Sequence, residues 1–328
     1  MEIRAGDGLS LGRIVLTLGS FDGVHRGHRR LLDRLIAMAE RLRARSAVVT
    51  FDPHPREVLS PGSAPPLLTT PAERERLLDA AGIDLLVRLA FDASVADTLA
   101  SDFVLGRLMP LGDVAGFVVG YDFHFGKGRG GNAELLASIG RERGFEVERV
   151  AAESDGTVEV KSTGIRELVS RGDLRAAERL LGHSYFARGR VVHGEGRGRT
   201  LGFRTANVEV PDSRKLLPPN GVYAVRASGE ESSGDPFVER GVANLGVRPT
   251  FGGGPRVLEV HLLDGERALY GREISVQFVE RLRDEMRFET PEALAAQIGR
   301  DAERARGVLG EPDRAGEAGT AGRNGLVA

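Results

Sequence analysis

The chain has 328 residues, 41% of them hydrophobic and 28% charged, the balance of a soluble globular protein long enough to bury two cores. Its 45 basic and 47 acidic side chains leave a formal charge of −2, so no long-range field draws it to nucleic acid, and any phosphate it binds must be held locally. With no cysteine, disulfides, thiolate metal centres and a cysteine nucleophile are excluded.

The opening stretch MEIRAGDGLSLGRIVLTLGSFDG has no continuous apolar core followed by a small-residue cleavage site, and no later stretch approaches the ~18 apolar residues of a membrane span. A cytoplasmic protein without a membrane partner is expected. Short apolar runs then alternate with helical patterns. Ile14–Leu18, Ala47–Phe51, Ile83–Leu89, Val114–Val119 and Phe145–Val150 read as buried parallel strands. Between the first two, Leu31, Leu32, Leu35, Ile36, Ala39 and Leu42 recur at the spacing of a helix lying on a sheet. Further helices are predicted near 72–81, 97–108 and 132–143. This alternation implies right-handed crossovers and an α/β doubly wound parallel sheet, whose ligands sit at the C-terminal ends of the strands.

Ser162–Leu181 reads as one or two helices, with a boundary near Gly182. From Tyr185 the texture changes to period-two segments split by Gly and Pro: FARGRVVHG, TANVEV, NGVYAVRA, ERGVANLG, RVLEVHLL and EISVQFVERL. That pattern predicts a small antiparallel β-barrel or sandwich. A C-terminal helix near Pro291–Gly307 is expected to turn Leu294, Ile298 and Ala302 toward it. The last stretch, EPDRAGEAGTAGRNGLVA, reads as a disordered tail. The expected domains are therefore 1–182 and 183–310, with a tail over 311–328.

The most informative segment is GSFDGVHRGH, Gly19 to His28, between the first strand and the strongest helix. Gly19, Gly23 and Gly27 let the backbone turn tightly, and the helix behind them offers unpaired N–H groups and a positive dipole end to a phosphate. His25 and His28 can then donate to phosphate oxygens and meet the charge that builds as pyrophosphate leaves. Two other readings stay open from residue type alone: surface or capping histidines, and a shared metal, against which stands the lack of an adjacent acidic partner.

These residues resemble the G-x-F-D-G-x-H-x-G-H signature of the FMN adenylyltransferase half of the prokaryotic bifunctional riboflavin kinase/FAD synthetase enzymes. The resemblance implies that Gly19, Phe21 and Gly27 lie against the nucleotide with His25 and His28. Three further segments agree with it. TFDPHPREVL resembles the family's turn near the flavin, and GYDFHFGKGRGGN places Asp122 where the family has a polar residue near the substrates. Phe123 and Phe125 in that loop are core or flavin-stacking residues, and Lys127 and Arg129 have an equally plain reading as solvated charges. KSTGIR matches a turn that holds the ATP triphosphate, with Ser162 and Thr163 on the nucleotide and Arg166 on the β- and γ-phosphates. Ser162 and Thr163 could instead simply cap a helix.

The segment HGEGRGRTLGFRTAN, His193 to Asn207, resembles the riboflavin kinase pattern G-x-x-x-G-x-x-x-G-F-P-T-A-N. The resemblance implies that Gly196, Gly198 and Gly202 cover ATP and that Thr205 and Asn207 bind Mg²⁺, whose preference is for hard oxygen ligands. Arg204 stands where the family has proline, so the backbone ahead of the metal pair loses a fixed dihedral angle. Glu259, in LEVHLL, matches the proposed base for the ribityl hydroxyl. Arg283 and Glu285, in LRDEMRF, would border the flavin; by residue type they are an ordinary surface pair.

The resemblance, over residues 12–307, implies an enzyme with ATP as co-substrate that makes FMN from riboflavin and FAD from FMN, binding riboflavin, FMN and FAD. The alternative, prompted by Arg204, is an FMN adenylyltransferase whose barrel only binds flavin. A third reading, transfer to another small phosphorylated acceptor, would suit HxGH alone.

Overall fold

The computed structural model describes residues 1–6, 10–156, 158–194, 203–231, 233–247, 256–265 and 267–311. The chain divides into two compact units, Met1–Pro66 with Arg74–Ser162, and Leu67–Glu73 with Thr163–Ala328.

In the first unit the strands are β1 (Glu2–Ala5), β2 (Arg13–Leu18), β3 (Arg45–Asp52), β4 (Leu85–Ala90) and β5 (Asp113–Gly120). Two short pairs follow, β6 (His124–Phe125) with β7 (Gly131–Asn132) and β9 (Ser154–Asp155) with β10 (Val158–Glu159), on either side of β8 (Glu146–Val150). Six strands form one sheet in the order β1-β4-β3-β2-β5-β8, and every pairing in it is parallel. From β2 the chain builds outward through β3 and β4 on one side and through β5 and β8 on the other. The order therefore reverses between β2 and β5, and a crevice opens at their C-terminal ends.

Helix α1 (Arg26–Leu42) buries Leu31, Leu32, Leu35, Met38 and Ala39, while Ile36 and Leu42 are only half-buried. The short α2 (Pro55–Leu59) follows β3, capped by His54. Then come α3 (Pro71–Ala80), α4 (Ala93–Ala96), α5 (Ala100–Phe103) and α6 (Ala133–Arg143). The single helix expected over 97–108 is broken: the Thr98 hydroxyl bonds back to the Ser94 carbonyl, and the chain continues past α5 as a π turn over Val104–Leu108 and a 3₁₀ turn over Met109–Leu111. The sequence reading also missed β1, an edge strand paired with β4 whose residues are mostly exposed.

In the second unit, α7 (Ser162–Arg171) and α8 (Leu174–Leu181) lead into β11 (Tyr185–Val192), β12 (Ala206–Glu209), β13 (Gly221–Glu230), β14 (Pro236–Val247), β15 (Arg256–Leu262) and β16 (Glu273–Arg283). They close as an antiparallel barrel in the order β11-β12-β15-β14-β13-β16. A C-terminal helix, Pro291–Leu309, packs against it through Ala302, Ala305 and Leu309 with Val222, Ala224 and Val242. Its buried stripe lies a turn later than the sequence reading placed it: Leu294 and Ile298 are half-buried, and the charged Asp301 is buried. Of the predicted tail, residues 312–328 lie outside the described residues.

The strip Leu67–Glu73 belongs to this unit. Leu67 exchanges backbone hydrogen bonds with Arg214 and Leu216, and Thr70 and Glu73 form a reciprocal capping box. The Glu73 carboxylate also takes the Arg188 amide at 2.7 Å and the Lys215 ammonium at 2.8 Å. Both side chains of the ion pair are at most 1% exposed, and Lys215 stands 4.6 Å from the Tyr185 ring centre. Removing one partner strands the other charge out of water. Lys215→Met should lower the unfolding free energy by about 3–5 kcal/mol in denaturant titration, and Glu73→Gln added to it should cost less than the two single losses summed.

Candidate active sites

The first candidate site grows from the end of β2. Between Leu18 and α1 the backbone is left-handed at Phe21 (φ 49°), Gly23 (φ 83°) and Val24 (φ 40°). Glycine takes that conformation freely; a β-branched valine there is strained, and the surrounding structure must hold it. The turn delivers His25 as the N-cap of α1, its Nδ1 accepting the His28 amide at 3.3 Å. No acidic residue occupies the first turn of α1, so the dipole end is left for an anion.

The two imidazoles stack with centroids 3.6 Å apart and planes 14° from parallel, and Phe21 leans on His28 at 5.0 Å. The His28 ring is enclosed, and its Nδ1 is buried with no hydrogen-bond partner among the described residues. Burial first, then the neighbouring His25 and Arg74, hold the His28 pKa well below its ordinary value. His28 is therefore a neutral ring at physiological pH. Arg74, on α3, donates to the Ser20 carbonyl at 3.0 Å, and Ser162 donates through its hydroxyl to the Asp22 carbonyl at 3.0 Å. Asp122 follows β5 at the same switch point and is exposed. Phe123 and Phe125 stack on each other and pack against the core of the sheet. Lys127 pairs with Asp97, and Arg129 lies 3.1 Å from His124.

Thr163 and Arg166 lie on α7, Thr163 exposed and Arg166 half-buried. In the barrel, Asn207 of β12 sits directly opposite Glu259 of β15, and Glu259 directly opposite Asn244 of β14. Flanking residues Val208, Leu258, Val260 and Ala243 fill the barrel interior, so this row stands on the opposite face. Asn207 and Thr205 line a cavity of about 430 Å³ with His193, Arg204, His261 and Tyr270. Gly194 is pressed onto Asn207, and a Cβ there would come within 2.1 Å of its amide nitrogen. The Asn207 Oδ1 atom is buried without a hydrogen-bond partner among the described residues. A buried, unsatisfied neutral oxygen beside a threonine hydroxyl fits a hard cation that keeps waters and takes phosphate oxygens. Gly196, Gly198 and Gly202 lie outside the described residues.

Arg283 and Glu285 have separate settings, and a Cβ on Gly246, two residues along β14 from Asn244, would meet the Glu285 carboxylate. Arg283 grips the buried Asp301 of the C-terminal helix, Nε and Nη2 lying 3.0 and 2.7 Å from its oxygens. Glu285 accepts from Asn220 at 3.0 Å.

Residues 9–164 match the FAD synthetase family model and residues 181–309 match the riboflavin kinase model. A bifunctional riboflavin kinase/FMN adenylyltransferase of Escherichia coli K12 is 42% identical over 90% of this chain and 93% of its own. The chain belongs to that bifunctional family. Relatives of the same description from Haemophilus influenzae and Listeria monocytogenes are 38% and 35% identical, over 89% and 88% of this chain and 92% and 90% of theirs. A crystal structure described as a macrolide-efflux protein from Streptococcus pneumoniae superposes with a TM-score of 0.81 at 31% identity, over 93% of this chain and 98% of that one. No helix among the described residues is long and apolar enough to cross a membrane.

Two residues in contact with these candidate sites had escaped the sequence reading. Arg74 looks like one more charge in the first turn of a helix, and only the fold carries it to the Ser20 carbonyl. Gly194 was legible as part of a glycine-rich loop, but its packing against Asn207 was not.

The neutral state of His28 has a consequence for stability. Unfolded, the ring titrates near 6.5; folded, it takes its proton only at lower pH. Between those two values the unfolded chain binds the extra proton, so stability falls as pH drops below 6.5. His28→Gln should flatten that part of a melting-temperature profile recorded against pH.

Proposed function

We propose that this enzyme of flavin coenzyme synthesis assigns its two steps to the two sites described. In the barrel, ATP phosphorylates the terminal hydroxyl of riboflavin, giving FMN and ADP. In the parallel-sheet domain, FMN displaces pyrophosphate from a second ATP, giving FAD. The observation that carries the reading is the match of both family models, in order, along one chain. We assign residues 1–182 to adenylyl transfer and 183–310 to the kinase, the second including the ordered barrel. A cytoplasmic location belongs to the same proposal and is supported by the family.

For adenylyl transfer, the His25–His28 stack and the amide end of α1 receive the α-phosphate. The neutral His28 ring can donate an N–H without needing a counter-ion, which suits a charge that grows only as the leaving group departs. Gly19, Phe21 and Gly27 lie along the nucleotide, Ser162 and Thr163 at its phosphates, Arg166 on the leaving pyrophosphate, and Asp122 beside the flavin. Arg283 and Glu285 remain proposed neighbours of the kinase flavin.

For the kinase, Glu259 accepts the hydroxyl proton while the neighbouring Asn207 and Thr205 face the ATP phosphates. Mg²⁺ would be held by Thr205 and Asn207 and would offset phosphate charge there. Thr205 and Asn207 both line the cavity beside Arg204. A barrel that only binds flavin is not favoured, because the riboflavin kinase model matches it and the relatives similar over both halves are described as bifunctional.

Purified protein given riboflavin, ATP and Mg²⁺ should accumulate FAD by chromatography; failure to convert supplied FMN would refute the first-site reading. His28→Ala or Arg166→Ala should slow FAD formation by about 10²-fold or more while riboflavin phosphorylation continues. Glu259→Gln should reverse the pattern, slowing FMN formation by about 10²-fold or more and sparing conversion of FMN to FAD.

A further inference from the structure

Strand β12 begins at Ala206, opposite Val260 of β15, and the ladder goes no further toward the N-terminus. The residue that would come next, Thr205 opposite His261, lies outside it. Backbone pairing thus fixes Asn207 but not Thr205, and a flexible arginine precedes the threonine. His261 fills that gap. Its Nδ1 lies 2.9 Å from the Arg204 carbonyl oxygen, and its ring meets Phe203 edge-on at 5.4 Å and 85°. A carbonyl oxygen can only accept, so Nδ1 carries the proton.

We propose that His261 is a positioning residue of the kinase site, holding the Phe203-Arg204-Thr205 turn so that the Thr205 hydroxyl and the Asn207 amide oxygen face one another's cation. The chain is pinned at three successive points: ring packing at Phe203, the imidazole bond at the Arg204 carbonyl, and the ladder at Ala206. Thr205 lies between the last two. A side-chain hydrogen bond here does the work of the ladder bond that the strand does not make, and it supplies a restraint that the arginine backbone lacks. His261 touches neither phosphate nor hydroxyl in this role; it acts through the turn. The proposal rests on reading Thr205 and Asn207 as the metal pair.

Two readouts separate it from a merely structural histidine. Hydrogen–deuterium exchange over residues 203–209, in protein free of metal and nucleotide, should quicken about 5- to 10-fold in His261→Phe, which keeps a ring but has no donor. His261→Asn, which keeps an N–H near the same place, should restore most of the protection. The Mg²⁺ concentration for half-maximal riboflavin phosphorylation should rise about 5- to 10-fold in His261→Phe, with a smaller change in the maximal rate and FAD formation from FMN unaltered. Arg204→Pro, which fixes the dihedral angle by another route, should offset the loss when combined with His261→Phe. The proposal is overturned if His261→Phe protects the turn as well as the native residue, or if Arg204→Pro offsets nothing. Should the unaltered protein phosphorylate no riboflavin, the kinase reading fails, and the exchange rates still decide whether His261 holds the turn.

Discussion

A strand that ends in the middle of a parallel sheet must hand its chain to a helix lying back across that sheet, and the reversal after β2 is the constraint on which the first site depends. It is made through left-handed backbone at Phe21, Gly23 and Val24, and it is locked by an imidazole serving as helix cap. A smoother turn would leave the amide end of α1 covered by chain. Because this one is tight, the cap, the stacked second ring and the open dipole end converge at one point of the crevice between β2 and β5. The His28 ring stays uncharged because the same enclosure that positions it makes a second cation beside Arg74 costly. Geometry and protonation state have one cause.

The barrel solves a different problem by register. Antiparallel pairing brings residues far apart in sequence face to face, and the alternation of side chains decides which of them leave the interior. Asn207, Glu259 and Asn244 share one row across three strands, buried at one end and exposed at the other. An amide oxygen and a carboxylate, the pair to which the proposed kinase step assigns a cation and a hydroxyl proton, are thereby neighbours without any loop having to place them.

Much of this was legible in the residues. Four of the five apolar runs of the first half are the four inner strands of the sheet, because strands buried on both faces cannot afford polar alternation; the fifth is the far edge β8, expected to be buried but buried only at Val150. The six period-two segments are the six barrel strands. What failed did so for nameable reasons. Strand β1 offers no apolar run, since it lies at an edge and its pairing partner β4 is some eighty residues away. The C-terminal helix was phased on Leu294 and Ile298, whereas the barrel accepts the small Ala302 and Ala305 and draws in Asp301 by pairing it with Arg283. That pairing also gives Arg283 a structural duty no motif announces. Arg74, Gly194 and His261 act through contacts between distant segments, which neither periodicity nor local spacing encodes.

The strip Leu67–Glu73 shows that membership of a unit and position along the chain are different things. Glu73 leaves the ribosome 142 residues ahead of the lysine that neutralises it. At a synthesis rate of about 5–20 residues per second, that is a wait of roughly seven to thirty seconds, through which the carboxylate has no lysine to meet. The earlier half of the nascent chain can close its sheet in that interval. The Glu73–Lys215 pair, by contrast, can form only once the later half has been made and has gathered back a piece of what was made first, so the order of translation and the order of assembly are crossed at this salt bridge.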